Sequence, residues 1–246
     1  FFFVVLVSIY LLLTYKKKVF TAFYNSGIPG FVGGLILGCG FSAYVFAMYN
    51  TTVANANFII QTQAIILAIL GYIFLKEKIS KITLTSIILA ISGIILMVGN
   101  SLSSGEMSGN IVAFVMPISF AILIIIVRKY PKVDMVPLQL FAGIVAMIIG
   151  YIVSSKINIS SNDLLLAFIA GFFQVGLGFI LITIGARKTL SAMVGILMMT
   201  EAVLGPLWAW IFIKEVPQSP AIIGGAIIIF AVFIQFYTLL KKEKKM

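Results

Sequence analysis

The sequence lacks the residues on which many soluble enzymes and metal sites depend. It has no histidine, and Cys39 is its only cysteine. Within these 246 residues, a histidine base, a histidine metal ligand and an internal disulfide bond are therefore excluded. Charged residues are scarce as well, at 10% of the chain. The sequence indicates no metal, no cofactor and no catalytic residues.

What the chain has in abundance is apolar residues, which make up 62% of it and give a mean hydropathy of +1.19. A soluble domain of this length could not hide so much apolar surface from water. The net charge of +10 does not indicate nucleic-acid binding, because the charges lie in short clusters between apolar runs rather than on one continuous face. The composition predicts a membrane protein.

Charge-free stretches divide the chain into nine candidate membrane helices. Alternation with a period of two residues is absent, so a membrane barrel is disfavoured and helices are expected. The fold class predicted is therefore an all-α polytopic membrane protein. The expected spans are 1–13, 27–49, 53–75, 82–100, 110–127, 135–154, 163–186, 189–213 and 218–240.

The Lys and Arg residues alternate between the two ends of these spans. One end collects 15 of the 17, and the other has only Lys156 and Lys214. The positive-inside rule then places the first end, and the C-terminus, in the cytoplasm of a cell with the chain in its plasma or inner membrane. The 15 residues are Lys16, Lys17, Lys18, Lys76, Lys78, Lys81, Arg128, Lys129, Lys132, Arg187, Lys188, Lys241, Lys242, Lys244 and Lys245.

The chain also contains an internal repeat. Residues 31–77 align without a gap on residues 138 positions later, with 12 of 47 identical, including Phe41 on Phe179 and Thr62 on Thr200. Five spans separate Glu77 from its counterpart Glu215, so the two copies should have opposite orientations. Inverted repeats of this kind are typical of secondary transporters. The predicted domains are a first repeat at 1–100 and a second at 108–241.

The repeat predicts that one helix precedes this chain. The span 135–154 aligns on 1–13, so the counterpart of 110–127 would fall before Phe1. The chain also starts without Met inside an apolar run. We therefore expect an inverted 5+5 protein of ten helices, with its first helix missing here and nine spans seen.

The ends of the two fourth helices carry a family resemblance. The first copy ends in Phe-Leu-Lys-Glu-Lys at 74–78 and the second in Phe-Ile-Lys-Glu-Val at 212–216, and the last helix carries Gly224-Gly225. The chain resembles the EamA-type branch of the drug/metabolite transporter superfamily. The resemblance implies a ten-helix transporter of small metabolites, such as amino acids, nucleosides, cofactors or drugs, with a central cavity between the halves.

Glu201 is the leading candidate site residue, because it is the only ionisable residue in the middle of a span. A charge at that depth costs about 2.5–3.5 kcal/mol on the insertion scale, and such residues often mark substrate or proton pathways. We expect Glu201 to bind the solute and to couple its transport to a proton or sodium ion. The alternative is a protonated carboxyl that hydrogen-bonds between helices.

Polar residues on other spans could join Glu201 in a substrate site. Gln63 is its counterpart in the repeat, and Asn57 and Gln61 lie four residues apart on one helical face. Gln174 is a candidate of the same kind on the span 163–186. The alternative for each is an interhelical hydrogen bond, worth only about 0.6 kcal/mol on average.

Aromatic residues and a proline complete the predicted site. Trp208 lies seven residues after Glu201 on the same helical face, and Tyr44 is a further candidate for binding a partly apolar solute. Membrane-interface anchoring is the alternative for the tryptophan. Gly205 and Pro206 follow Glu201 by one turn, so they could act as a hinge or form a tolerated kink.

The sequence leaves several functional readings open. A secondary-active or facilitative transporter that alternates access around a midplane site is favoured, and the lack of a Walker-type loop argues against direct drive by ATP. The alternatives are a membrane enzyme acting on lipid or prenyl substrates and a non-transporting membrane subunit. The expected partners are a small solute and membrane lipids, without nucleic acid; the oligomeric state is open, with a homodimer as one option.

Overall fold

The computed structural model describes residues 1–51, 53–98, 107–154, 159–214, 216 and 219–243, and these form helices without a strand. Four residues used in the charge count or the repeat, namely Lys156, Glu215, Lys244 and Lys245, lie outside them. The α-helices are α1 (Phe2–Tyr15), α2 (Val19–Asn50), α3 (Val53–Gln61), α4 (Gln63–Leu75), α5 (Lys81–Val98), α6 (Met107–Ala113), α7 (Val115–Lys129), α8 (Val136–Val153), α9 (Ser161–Phe168), α10 (Gly178–Ala186), α11 (Ser191–Met198), α12 (Thr200–Trp208) and α13 (Ser219–Glu243).

The helices have the length and composition of a polytopic membrane protein. Five helical runs in the described residues are long and apolar enough to cross a bilayer, and three shorter ones are apolar. The long runs are Phe2–Asn50, Asn55–Leu75, Met107–Lys129, Val136–Val153 and Ser161–Ala186, and the shorter ones are Lys81–Met97, Ser191–Leu204 and Ser219–Gln235. The all-α polytopic fold class is confirmed, whereas the count of nine spans stays a prediction.

The first long run bends at two places that the sequence explains. A 3₁₀ turn at Lys16–Lys18 follows α1, and Gly27 interrupts α2 with a φ of 55° that only glycine adopts at no steric cost. Pro29 then lies in the first turn of the helix that follows, where its missing N–H is harmless. The predicted span starting at residue 27 therefore begins at a real bend.

Two membrane runs are interrupted near their middle. The helix breaks at Thr62 between α3 and α4, and at Met199 between α11 and α12. At each break the backbone tightens, with Thr62 N–H donating to the Ile59 carbonyl and Met199 N–H donating to the Ile196 carbonyl. Broken helices at mid-membrane depth are tolerated where protein or a cavity surrounds them.

Small residues let the helices approach closely at two places. A Cβ added at Gly38 of α2 would lie 2.6 Å from the Ala142 carbonyl oxygen of α8. A Cβ added at Gly93 of α5 would lie 2.7 Å from the Gly224 carbonyl oxygen of α13. Contacts of this kind stabilise membrane helix pairs through packing, since the hydrophobic effect does not act between helices in lipid.

Several helix ends meet at one face of the bundle, called the basic face below because most basic clusters border it. Ion pairs join Arg128, at the end of α7, to Glu77 and Arg187, just after α10, to Asp134. The C-terminal part of α13 reaches this face too, since Gln235 donates to Thr83 near the start of α5. At the opposite ends of α2 and α6, the Thr51 hydroxyl donates to Asn110.

Candidate functional site

The core of the candidate site is the crossing of α4 and α11. A Cβ on Gly195 of α11 would lie 2.6 Å from the Ala64 Cα, and a Cβ on Gly71 of α4 would lie 3.0 Å from the Ser191 Cβ. Residues near the end of α4 therefore contact residues near the start of α11, so the two helices run antiparallel. Because glycine occupies both contact points, the backbone of each helix can approach the other helix closely over two turns.

Glu201 lies near mid-depth on the chain that continues from this crossing. The Ser191 N–H, at the start of α11, is bonded to Glu77 at the basic face. Glu201 is ten residues further on, about 15 Å at about 1.5 Å per residue, which is half of a hydrocarbon core about 30 Å thick. Its side chain is exposed on a stripe of exposed residues of this helical run, namely Leu197, Glu201, Leu204, Trp208 and Phe212.

Tyr44 is the predicted site residue that the structure brings to Glu201. It lies on α2 and is half-buried, and its hydroxyl is near enough to the Glu201 carboxyl for the two groups to interact electrostatically. The two residues belong to different helices, α2 and α12. No basic residue is paired with Glu201 among the described part of the chain, in which the ion pairs are those at the basic face.

Gln61 and Gln63 flank the helix break at Thr62 and are both buried, at 5% and 3% exposure. The Gln61 Oε1 and the Gln63 Nε2 have no hydrogen-bond partner among the described residues. A buried polar atom left unpaired costs about 1–3 kcal/mol. Unpaired polar atoms at mid-membrane depth are expected where a solute or water completes their hydrogen bonds.

The other candidates are exposed, and of these only Trp208 shares the exposed stripe of Glu201 in the described part of the chain. Asn57 and Gln174 are exposed, and Gln174 lies in a π-helical stretch at Ile169–Leu177. Trp208 is 51% exposed and contacts the ring of Phe212, with the ring centroids 5.6 Å apart. No described contact joins Gln63 to Glu201, so their pairing stays a prediction.

The proposed hinge at Gly205 and Pro206 also stays a prediction. The α12 backbone continues as a helix through both residues. Immediately after α12 the helix widens to a π-helical stretch at Ala209–Ile213. A π-helical turn is often found at functional positions in helices, and here it begins three residues after the proline.

A cluster of phenylalanines between Tyr44 and the basic face was missed by sequence reasoning. The rings of Phe41 and Phe179 meet edge to face with centroids 5.0 Å apart, and Phe120 and Phe3 pack on Phe179 at 6.0 and 6.4 Å. Phe41 and Phe179 are counterparts in the repeat. That match was the available signal, because counterparts in contact must lie close to an axis relating the copies.

A buried polar pair next to these rings was missed as well. Gln139 of α8 and Thr183 of α10 are fully buried, and the Gln139 Nε2 donates to the Thr183 Oγ1 over 2.7 Å. The Thr183 hydroxyl in turn donates to the Phe179 carbonyl. Because both side chains lie within packed helices, this pair ties α8 to α10.

Two of the basic residues that set the predicted orientation also hold the bundle together. The side chains of Arg128 and Arg187 are only 16% and 24% exposed, and each forms an ion pair with an acidic residue. The two acids, Glu77 and Asp134, lie in the connections after α4 and before α8. A single sequence contains no signal that pairs residues 51 or 53 positions apart.

Comparison with known proteins places the chain among transporters. A family model described as the EamA-like transporter family matches residues 1–99 and 105–237. A protein of Methanothermobacter thermautotrophicus named an uncharacterized transporter is 24% identical over 79% of this chain and 60% of its own length. One of Clostridium kluyveri with the same name is 22% identical over 85% of this chain and 72% of its own length.

The chain thus spans about 60% of the length of the first of these relatives. A solved structure described only as a crystal structure of a protein superposes with a TM-score of 0.68 at 14% identity, covering 99% of both chains, which is a likeness of fold. Both named relatives are transporters rather than enzymes, and the family match extends over nearly all of the sequence. The chain belongs to the EamA-like transporter family.

Proposed function

We propose that this chain is part of a secondary-active or facilitative transporter that moves a small polar solute across a membrane. The observation that carries the proposal is the mid-depth site at which Glu201 lies within electrostatic range of Tyr44, next to the crossing of α4 and α11. The Gln61 Oε1 and the Gln63 Nε2, which lack partners among the described residues, lie close to the same crossing. A carboxyl, a phenol and two amides can hold a solute by hydrogen bonds from several helices.

We further propose that the two halves are inverted repeats that rock around this site. Three pairs of residues that align in the repeat support the proposal, because either their conformations match or their side chains are in contact. Lys76 and Lys214 both have the left-handed backbone, with φ of 54° and 61°. Thr62 and Thr200 both donate to the carbonyl three residues earlier, at 2.6 and 2.7 Å. Phe41 and Phe179 touch each other.

The charge of the site favours a solute with an amino group. All 17 Lys and Arg residues lie outside the predicted spans, so the site has a carboxyl but no basic residue to balance it. An ionised carboxyl in lipid needs a proton or a cation beside it. A protonated amine or an amino acid would supply that cation, and a proton or sodium ion would take its place when the site is empty.

The orientation in the membrane is part of the same proposal. The basic face carries the clusters around Lys16, Lys76, Arg128 and Arg187, so we place it in the cytoplasm, together with the C-terminal end of α13. The membrane is then the plasma or inner membrane. This orientation puts the exposed stripe of Glu201 in reach of the outer half of the bilayer.

Reconstitution of the full-length protein tests the proposed function. Purified protein is screened by thermal shift against amino acids, amines and nucleosides, since a ligand of the native state raises the melting temperature. The ligand found is then loaded into proteoliposomes, and counterflow of the labelled compound is measured. Counterflow above protein-free vesicles is expected. Absence of binding and counterflow across all three classes would contradict the proposal.

Replacing Gln63 by leucine separates binding from packing. Gln63→Leu removes a buried amide whose Nε2 has no partner, so the free protein should be as stable as before or more stable by about 1 kcal/mol. Solute affinity should fall about tenfold, since one charge-assisted or neutral hydrogen bond is worth about 1.4 kcal/mol in a site. Melting temperature and ligand binding are measured on the same preparation.

Gln139→Leu is the matched control for this prediction. Its amide is buried like that of Gln63, and its Oε1 also lacks a partner among the described residues, but its Nε2 donates to Thr183. Loss of that hydrogen bond should lower the melting temperature and leave solute affinity unchanged. If Gln63→Leu instead lowered stability without weakening binding, Gln63 would be a packing residue. That result would remove it from the site.

A further inference from the structure

The basic face contains a bonded network whose first half centres on Glu77. The Glu77 Oε1 accepts from the Arg128 Nε over 2.9 Å and from its Nη2 over 2.5 Å. The Glu77 Oε2 accepts from the Ser191 N–H at the start of α11 over 2.9 Å. The carboxylate thus uses both oxygens to join the ends of α4 and α7 to the beginning of α11. A positive helix N-terminus and a guanidinium share one negative charge.

The second half of the network centres on Asp134. The Asp134 Oδ1 is paired with Arg187 and accepts from the Val136 N–H over 3.1 Å. The Asp134 Oδ2 accepts from the Tyr15 hydroxyl over 2.5 Å. The halves are connected, because the Arg128 Nη1 donates to the Arg187 carbonyl over 3.4 Å. Tyr15 and Glu77 come from the first half of the chain, and the other partners come from the second.

An apolar core lies directly under this network, next to the buried pair of Gln139 and Thr183. A polar solute that passes this core must displace its buried residues, which come from six helices. They are Leu37, Leu67, Phe120, Ala121, Leu123, Ile124, Val127, Met135, Leu138, Ala142, Ala186 and Val194. The phenylalanine pair Phe41 and Phe179 packs against the same core. On the side away from the basic face, Glu201 is exposed.

We propose that the network formed by Tyr15, Glu77, Arg128, Asp134 and Arg187 is a latch that holds the transport path closed at the basic face. The proposal rests on the transport function proposed above. A solute that leaves the mid-depth site toward this face must separate α4 and α7 from α11, which breaks the Glu77 contacts to Arg128 and Ser191. The released charged groups would then be hydrated in the open path, so the latch can open and close reversibly.

Solvent access to the core beneath the latch is the first test. In the full-length protein, Cys39→Ser removes the native thiol, and Ala121→Cys places a reporter in the core, where Ala121 is fully buried. Sealed vesicles are treated from the basic face with a membrane-impermeant thiol reagent. With the latch intact the reporter should react slowly. Adding Glu77→Gln should raise its reaction rate at least tenfold, because the amide cannot balance the Arg128 charge.

Asp163→Asn is the matched control, since this acid lies at the start of α9 and is bonded to Ser160, three residues before it, away from the network. It should leave the reporter rate unchanged. Equal protection of the reporter in the Glu77→Gln and wild-type backgrounds overturns the latch. So does equal acceleration by Glu77→Gln and Asp163→Asn. The reporter reacts whether or not a solute is transported, so a failed latch is distinguishable from a failed transport function.

A cross-link provides a second test that does not depend on a weakened variant. Glu77→Cys and Arg128→Cys are combined in the Cys39→Ser background and joined by a short reducible bifunctional reagent. Counterflow should fall to the level of protein-free vesicles after cross-linking and return on reduction. Full counterflow in the cross-linked protein shows that these helix ends need not separate, and it contradicts the latch.

Discussion

Glu201→Gln in the full-length protein is expected to abolish counterflow or to uncouple it from the ion gradient. Glutamine keeps the shape and most hydrogen-bonding capacity of the side chain but cannot exchange a proton or balance a cation. Because Glu201 is the only acidic residue in the middle of a predicted span, no neighbouring carboxyl can take over its role. We expect a loss of at least tenfold in coupled transport, equivalent to about 1.4 kcal/mol or more.

A comparison of gradient-driven uptake with solute exchange identifies the role of Glu201. If gradient-driven uptake is lost but exchange is preserved, Glu201 has a coupling role. If uptake, exchange and solute binding are all lost, the carboxyl binds the solute. Asp163→Asn makes the same chemical change at an exposed helix start and should transport normally. Unchanged transport by Glu201→Gln from acidic to alkaline pH would reject both roles.

Gly195→Val is expected to be the most destabilising of the single substitutions considered for this fold. A Cβ at this position would lie 2.6 Å from the Cα and 3.1 Å from the Cβ of Ala64, and backbone cannot give way as a flexible side chain can. The helices α4 and α11 would have to separate along their crossing. Overpacking of this kind costs about 1–3 kcal/mol, which a thermal melt in detergent should detect as a lower melting temperature.

Gly185→Val gives the control for that experiment. Gly185 is also a helical glycine, but a Cβ built on it meets nothing within 4 Å. Its replacement should leave the melting temperature close to that of the wild type. Equal effects of the two substitutions would show that loss of helical glycine, rather than the close crossing of α4 and α11, determines the result.

The membrane class and the boundaries of many helices could be predicted because lipid imposes simple rules on the sequence. Apolar runs bounded by charge gave ranges such as 135–154, which corresponds to α8 at Val136–Val153. The predicted start at residue 27 coincides with Gly27, whose φ of 55° glycine adopts without steric cost. These features depend on composition and on local backbone preference, both of which a single sequence contains.

The breaks at Thr62 and Met199 could not be predicted from the same information. Neither break falls on a glycine or a proline, which are the usual sequence signals for a helix break. The breaks depend instead on tertiary packing of α4 against α11. The pairing of Glu77 with Arg128 is likewise a product of topology, because it depends on which helix ends become neighbours.

The residues of the candidate site also differ in whether the sequence alone identifies them. Glu201 was identifiable because a charge in lipid is costly wherever the helix faces, and the structure brings Tyr44 to it. Neutral residues such as Asn57, Gln61 and Gln174 carry no comparable signal. Their burial depends on what packs against each position along the helix, so Gln61 is buried and Asn57 is exposed although both lie on one face of α3.

The central claim is that two antiparallel copies of one helical unit meet around a mid-membrane site. Lys76 and Lys214 test it most directly, because they are exposed counterparts at the ends of the two fourth helices. Each is replaced by cysteine in turn in the Cys39→Ser full-length protein and labelled with an impermeant thiol reagent in sealed vesicles. Our account predicts labelling of the two positions from opposite faces of the membrane. Labelling of both from the same face would contradict it.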